Sequence, residues 1–187
     1  AIHFGDITVS PTVDQEGSGD FSIGIASATS IDVGNVSSTG SVGFATLGDL
    51  TTGDVNAGDV FLALVGGDML TGSIATASNG RVYIGNASMF LAAGGPDDFD
   101  PSIVLAANPV ATGGSITVEG PVTTGLLQAA AGTGLNVGDV TAHSSANLRA
   151  GTLANFTGTV SAPTITVTSG DIRVADGASL GVRGVTH

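Results

Sequence analysis

The sequence predicts an all-β chain wound as a single-stranded parallel β-helix, a β-solenoid. Three observations lead there. The apolar runs have the length of strands, they recur every 20–22 residues or so, and Gly-Asp stands before an apolar residue eight times. Short strands separated by frequent turn residues mark an all-β protein. A fixed period near twenty marks one turn of a solenoid.

The strand-length runs are Phe21–Ile25, Val60–Val65, Arg81–Ile84, Ile103–Ala107, Ile116–Val118 and Thr164–Thr168. Gly, Asn, Asp, Ser or Pro bounds them. Shorter strand signals fall within the same units at Ile31–Val33, Leu50, Ile74, Val137 and Val160. The run LLQAAA, Leu126–Ala131, is the one helix-friendly stretch, and glycines bracket it.

The period comes from Val60, Val82, Val104, Leu126 and Leu148, each 22 residues from the last. Upstream, Phe21 to Val42 spans 21 residues and Val42 to Val60 spans 18. A coil of this length cannot bury its apolar face alone and must stack on the next, at about 4.8 Å per turn. The expectation is one domain over residues 1–187, with seven or eight coils of about 20–22 residues.

Gly-Asp ends at Asp6, Asp20, Asp49, Asp54, Asp59, Asp68, Asp139 and Asp171, and Gly-Asn adds Asn35 and Asn86. With 30 Gly and 14 Asp in 187 residues, about two Gly-Asp pairs would arise by chance. The excess reads as corner, cap, strand. Gly is expected to supply a left-handed or otherwise strained turn, Asp or Asn to bond its own neighbouring amides, and the next residue to re-enter the core.

The composition narrows the function classes. There is no Lys, and Arg81, Arg149, Arg173 and Arg183 face 14 Asp and 2 Glu for a net charge of −12. Phosphate recognition needs clustered cations, so nucleic acid is excluded as a partner, and docking on anionic lipid is disfavoured. Zero Cys removes disulfides, Cys-based zinc sites and thiol nucleophiles. No apolar run is long enough for a membrane-spanning helix. The start, AIHFGDITV, has neither the basic nor the apolar region of a signal peptide, so the chain reads as a mature protein or a piece of a longer exported one.

The GDI, GDV and GNV punctuation, the Gly/Ser/Thr/Ala/Val richness, the lack of Cys and the coil-length period resemble filamentous-haemagglutinin-type exoproteins and autotransporter passengers of Gram-negative bacteria. The resemblance runs over roughly Gly5 to Val174 and is one of composition and period. The Asn-Pro-Asn motif of two-partner secretion domains is missing; Asn108-Pro109 is followed by Val110. The chain therefore resembles the repetitive shaft of such a protein. What this implies is a right-handed β-helical rod, exported and used in adhesion or surface display.

Candidate chemistry is sparse. GGPDDFDPS, Gly94–Ser102, gathers Asp97, Asp98 and Asp100 between two prolines. Three carboxylates could offer oxygen ligands to calcium, though an ordinary solvated acidic turn is the reading the segment favours. The segment lacks the glycine and terminal Glu of an EF-hand. Stacked Gly-Asp corners are a second conceivable calcium site, which corner capping explains without metal. Polysaccharide-degrading enzymes also use parallel β-helices, but their basic residue near the cleaved sugar has no clustered counterpart here, and aromatic platforms are few: one Tyr, Tyr83, and seven Phe. His3, His143 and His187 lie far apart, and no P-loop occurs. A TxTxT run at Thr164, Thr166 and Thr168 is not repeated in neighbouring units, which argues against an ice-binding ladder.

The resulting expectation is a non-catalytic structural or adhesive shaft, secreted or on the bacterial cell surface, without a required cofactor. Its partners would be a host-cell or matrix surface. Identical subunits stacking end to end into a filament or lattice form the alternative, and a polysaccharide-degrading enzyme is the third.

Overall fold

Ile31, Leu50 and Met69 stand nineteen residues apart, and in the computed structural model of the chain they are successive partners in one parallel sheet. The structure describes residues 1–9, 21–86 and 111–182. Among these residues there is no helix, and the strand pairings are parallel throughout. The chain is a β-solenoid.

The turns follow one another along the chain. The first holds β1 (Ile2–Phe4), β2 (Ile7–Val9) and β3 (Phe21–Ser27). The second holds β4 (Ile31–Val33), β5 (Val36–Ser38) and β6 (Ser41–Thr46), and the third β7 (Leu50–Thr52), β8 (Val55–Ala57) and β9 (Val60–Val65). The fourth has β10 (Met69–Thr71), β11 (Ile74–Thr76) and β12 (Arg81–Gly85). In the fifth, β13 (Ile116–Val118) leads into the long β14 (Val122–Ala131); in the sixth, β15 (Gly134–Val137) leads into β16 (Val140–Ala150). The seventh has β17 (Leu153–Phe156), β18 (Thr159–Ala162) and β19 (Thr164–Thr168). An eighth, partial turn carries β20 (Asp171–Val174) and β21 (Ser179–Val182).

These strands build three walls. The first is an eight-stranded sheet from β1 to β20. The second runs from β2 to β21 and the third from β3 to β19; β14 and β16 each pass through both, bending at a register shift after Thr124.

Inside, like positions stack in columns. On the first wall Ile2, Ile31, Leu50, Met69, Ile116, Leu135, Ala154 and Ile172 lie in register. On the second the column is Ile7, Val36, Val55, Ile74, Val122, Val140, Val160 and Leu180. The third wall sends two or three residues per turn inward, as Phe61, Ala63 and Val65 of β9 do, and sizes alternate: Phe61 lies on Val42, and Ala63 on Phe44. The two rings meet edge to face, with centroids 6.1 Å apart. Interior members of these columns are almost wholly buried. Apolar area removed from water is the main stabilising term, at about 25 cal/mol per Å², and here it is shared between neighbouring turns.

Two details differ from the sequence reading. The prevailing repeat is nineteen residues, so the set spaced by 22 does not form a column. Val60 is opposite Arg81, whereas Val82 lies between Phe61 and Leu127. Leu126 faces Arg81 and Ser145, Leu148 faces Ala129 and Val167, and Val104 lies outside the described residues. A fourth turn two residues longer at its last corner, followed by a long connection between β12 and β13, mimics the longer period. The helix-friendly LLQAAA is strand, because β12 and β16 pair with it on both edges; tertiary context overrides its intrinsic preference.

Candidate functional site

The Gly-Asp corners are the most repeated chemical feature, and the structure gives them a geometry. At the corner between the first and second walls, Asp6 Oδ1 accepts the amide N–H of Asn35 at 2.7 Å. Asn35 Oδ1 accepts the N–H of Asp54 at 2.9 Å, and Asp54 Oδ1 that of Ser73 at 2.7 Å. The ladder stops at the next turn, where Pro121 has no N–H to give, and one rung returns higher up from Thr159 to Asp139 at 2.8 Å. At the corner preceding the first wall, Asp68 N–H donates to Asp49 Oδ1 at 2.9 Å. Ser115 donates both its N–H and its hydroxyl to Asp68 Oδ1, at 2.6 and 2.9 Å.

Each side chain therefore caps the amide of the following turn and not its own neighbour, which corrects the local-cap expectation. The glycine also has a different role from the one expected. Among the described residues only Gly177 has positive φ, at 83°. The corner glycines are needed for close approach. A Cβ on Gly53 would come within 2.5 Å of Asn35 Oδ1, and one on Gly72 within 2.5 Å of Asp54 Oδ1. Gly leaves room for the carboxylate or carboxamide beneath it, and that group reaches the next amide. Gly-Asp is thus one half of a contact completed one turn away.

Electrostatics agree with this role. The amide of Ser73, and then its hydroxyl, hold the Asp54 carboxyl below the usual carboxylate range. Ser115 does the same for Asp68, again chiefly through its amide. An ionised carboxylate is the better acceptor, so these bonds favour the charged form.

Buried polar groups in the corners pair between turns as well. The Thr52 and Thr71 hydroxyls lie 2.8 Å apart in the interior, and half-buried Thr76 meets buried Thr124 at the same distance. On the outer side of the first wall Asn155 Nδ2 donates to Asn136 Oδ1 at 3.2 Å. No buried side-chain nitrogen or oxygen among the described residues lacks a partner.

The residues considered for catalysis do not come together. His3 meets Asp32 at 3.2 Å on an exposed stretch of the first wall. His143 lies at the bend of β16, Arg149 farther along the same strand and Arg173 on β20. Arg81 is near Tyr83, whose pKa is raised by burial and partly restrained by that guanidinium. The Thr164, Thr166 and Thr168 run faces Ser145, Asn147 and Arg149, so no threonine ladder forms there. Asp97, Asp98 and Asp100, with His187 and Arg183, lie outside the described residues. Among the described residues no group of three or more His, Asp and Glu gathers in a metal-binding arrangement.

Sequence patterning missed one feature of the third wall. Leu62 and Leu64 point away from the core columns of β9, yet they are only 3% and 1% exposed, and outward Tyr83 is also buried. The continuous apolar run VFLALV is the signal for a strand shielded on both sides. Comparison with family models, curated proteins and solved structures finds no match.

Proposed function

We propose that this chain is a shaft segment of a secreted or cell-surface bacterial protein, a non-catalytic rod that holds an adhesive surface at a fixed distance. The observation that carries this reading is the continuity of the contacts along the axis. Apolar columns and backbone ladders run from one turn to the next, capping side chains reinforce several corners, and each described turn is tied to its neighbours on at least two walls. Such a body resists bending because bending opens one wall against every column at once. Its length follows from turn number, about 40 Å at 4.8 Å per turn. The acidic, Lys-free composition suits a soluble exterior that does not adhere to itself sideways.

Small-angle scattering of the purified chain tests the rod, with an elongated, stiff particle of that length expected. Binding to immobilised host cells, matrix proteins and glycans tests the adhesive part. Retention on one such surface supports it, and absence of binding to all of them removes it, leaving a spacer. Release of reducing ends or unsaturated sugars from polysaccharides would replace the whole reading with the enzymatic one.

A further inference from the structure

We infer that Asn79 is a site of spontaneous deamidation, where water converts the side-chain amide into an isoaspartyl linkage at the corner between β11 and β12. This corner is longer than the one beneath it. Thr76 pairs with Ala57 and Arg81 with Val60, so five steps of chain do here what three do in the preceding turn. The added residues stand out as a β-turn, Ala77-Ser78-Asn79-Gly80, closed by the Gly80 N–H on the Ala77 carbonyl at 2.8 Å. Ala77, Ser78 and Asn79 are exposed, and Gly80 is buried.

Asparagine is a thermolabile residue, and the reaction has structural requirements. The carboxamide must be free to turn towards the next main-chain nitrogen, and that next residue must not obstruct it, which glycine, lacking Cβ, does least. Of the eight asparagines only Asn79 precedes glycine. Its side chain makes no hydrogen bond among the described residues. Others are held. Asn35 accepts the Asp54 N–H, Asn155 donates to Asn136, and Asn86 donates to the Ala111 carbonyl. Asn56 and Asn147 lie inside β8 and β16, followed by Ala57 and Leu148. Asn108 precedes Pro109, which has no N–H with which to attack.

The Gly80 nitrogen, its proton passed to solvent, bonds to Asn79 Cγ. The Cγ–Nδ2 bond breaks, ammonia leaves, and a cyclic succinimide closes. Water then opens the ring. Attack at the main-chain carbonyl carbon of Asn79 breaks its bond to the Gly80 nitrogen and leaves the chain running through Cγ, as isoaspartate. Attack at Cγ gives ordinary aspartate. Water enters and ammonia leaves, and nothing is oxidised or reduced.

The Gly80 N–H must first leave the Ala77 carbonyl. The Gly80 carbonyl is held on the other side, accepting the Leu126 N–H at 3.0 Å and the Thr124 hydroxyl at 3.3 Å. The exposed arm of the turn therefore opens while β12 keeps its place, and local opening of an exposed turn costs little free energy. The product adds a main-chain methylene and a carboxylate just ahead of Arg81, so the corner changes in length and in charge. This inference stands apart from the adhesive reading.

The test is peptide mapping by mass spectrometry of the whole folded chain, incubated at neutral pH in heavy-oxygen water. The same chain unfolded in urea gives the unrestrained rate. Conversion at Asn79 ahead of every other asparagine is expected, with heavy oxygen in both products and isoaspartate exceeding aspartate. Asn79→Gln, whose longer side chain closes a ring less readily, should lose the conversion, and circular dichroism reports that this variant folds. A folded chain that keeps Asn79 intact while the unfolded chain converts fully overturns the inference, as does a folded chain in which another asparagine converts first.

Discussion

The carboxylate of Asp54 accepts the amide N–H of Ser73, nineteen residues on and one turn farther along the axis, at 2.7 Å. Its counterpart below is an amide, Asn35, which serves Asp54 in the same way. The corner therefore needs an acceptor oxygen, and the charge is an addition with a pH dependence of its own.

That dependence has a definite sign. Hydrogen bonds from Ser73 and Ser115 lower the carboxyl pKa of Asp54 and Asp68 from 3.8 in the folded chain. A lowered pKa stabilises the fold above the unfolded value, and the benefit disappears as pH falls through the folded value. Stability is expected to hold from neutral pH down to near 3.8 and to fall below it. Asp54→Asn together with Asp68→Asn keeps both acceptors and removes the proton linkage. Thermal melts from neutral to acid pH should show a shallower acid decline in this variant; an identical decline would assign the acid sensitivity elsewhere.

Glycine substitutions separate close approach from backbone conformation. A Cβ on Gly58 would collide with the Thr39 carbonyl of the turn below, whereas one on Gly134 meets nothing nearer than 3.9 Å. Gly58→Ala is expected to destabilise by about 1–3 kcal/mol, the usual cost of overpacking. Gly134→Ala should be neutral or stabilise by about 0.4–1 kcal/mol, because its φ is not positive and the unfolded chain loses freedom. Urea unfolding of the two variants decides the point, and equal effects would contradict it.

The core column has a comparable test. Phe61 is fully buried and meets Phe44 edge to face. Phe61→Ala should cost about 3–5 kcal/mol. Unfolding midpoints that change by far less would mean that the interior collapses around the cavity more readily than the stacked turns suggest.

Thr52 and Thr71 offer a thermodynamic cycle. Replacing either by Val leaves a buried hydroxyl with fewer partners, at a cost of about 1–3 kcal/mol. The double replacement should cost less than the sum of the singles, since the 2.8 Å pair then vanishes as a unit. Additive effects would show that the two hydroxyls rely on the Gly53 carbonyl and not on each other.

How much of this could be read in advance depends on where each interaction closes. The architecture was legible because Asp49-Leu50, Asp54-Val55 and Asp68-Met69 each announce a corner and a strand within two letters. The partner of each Asp was not, since Asp54 and Ser73 are far apart in the chain and nothing near either residue names the other. The true repeat was hidden by the longer corner before Arg81 and the connection that follows β12. Buried Leu62 and Leu64 were visible as an apolar run, though the sequence alone could not tell a doubly shielded strand from an ordinary one. The proposed oxygen ligands Asp97, Asp98 and Asp100 fall beyond the described residues, so no geometry attaches to them.

The ladder in which Asn35 serves Asp54 and Asp54 serves Ser73 makes the nineteen-residue turn an interchangeable module. Excising Asp54 through Thr71–Gly72 as one register unit would set Ser73 over Asn35, an acceptor of the same reach. Evolution can therefore set such a molecule's extent in whole steps, as a ruler is set in divisions, each step adding about 4.8 Å and demanding no redesign of what lies above or below.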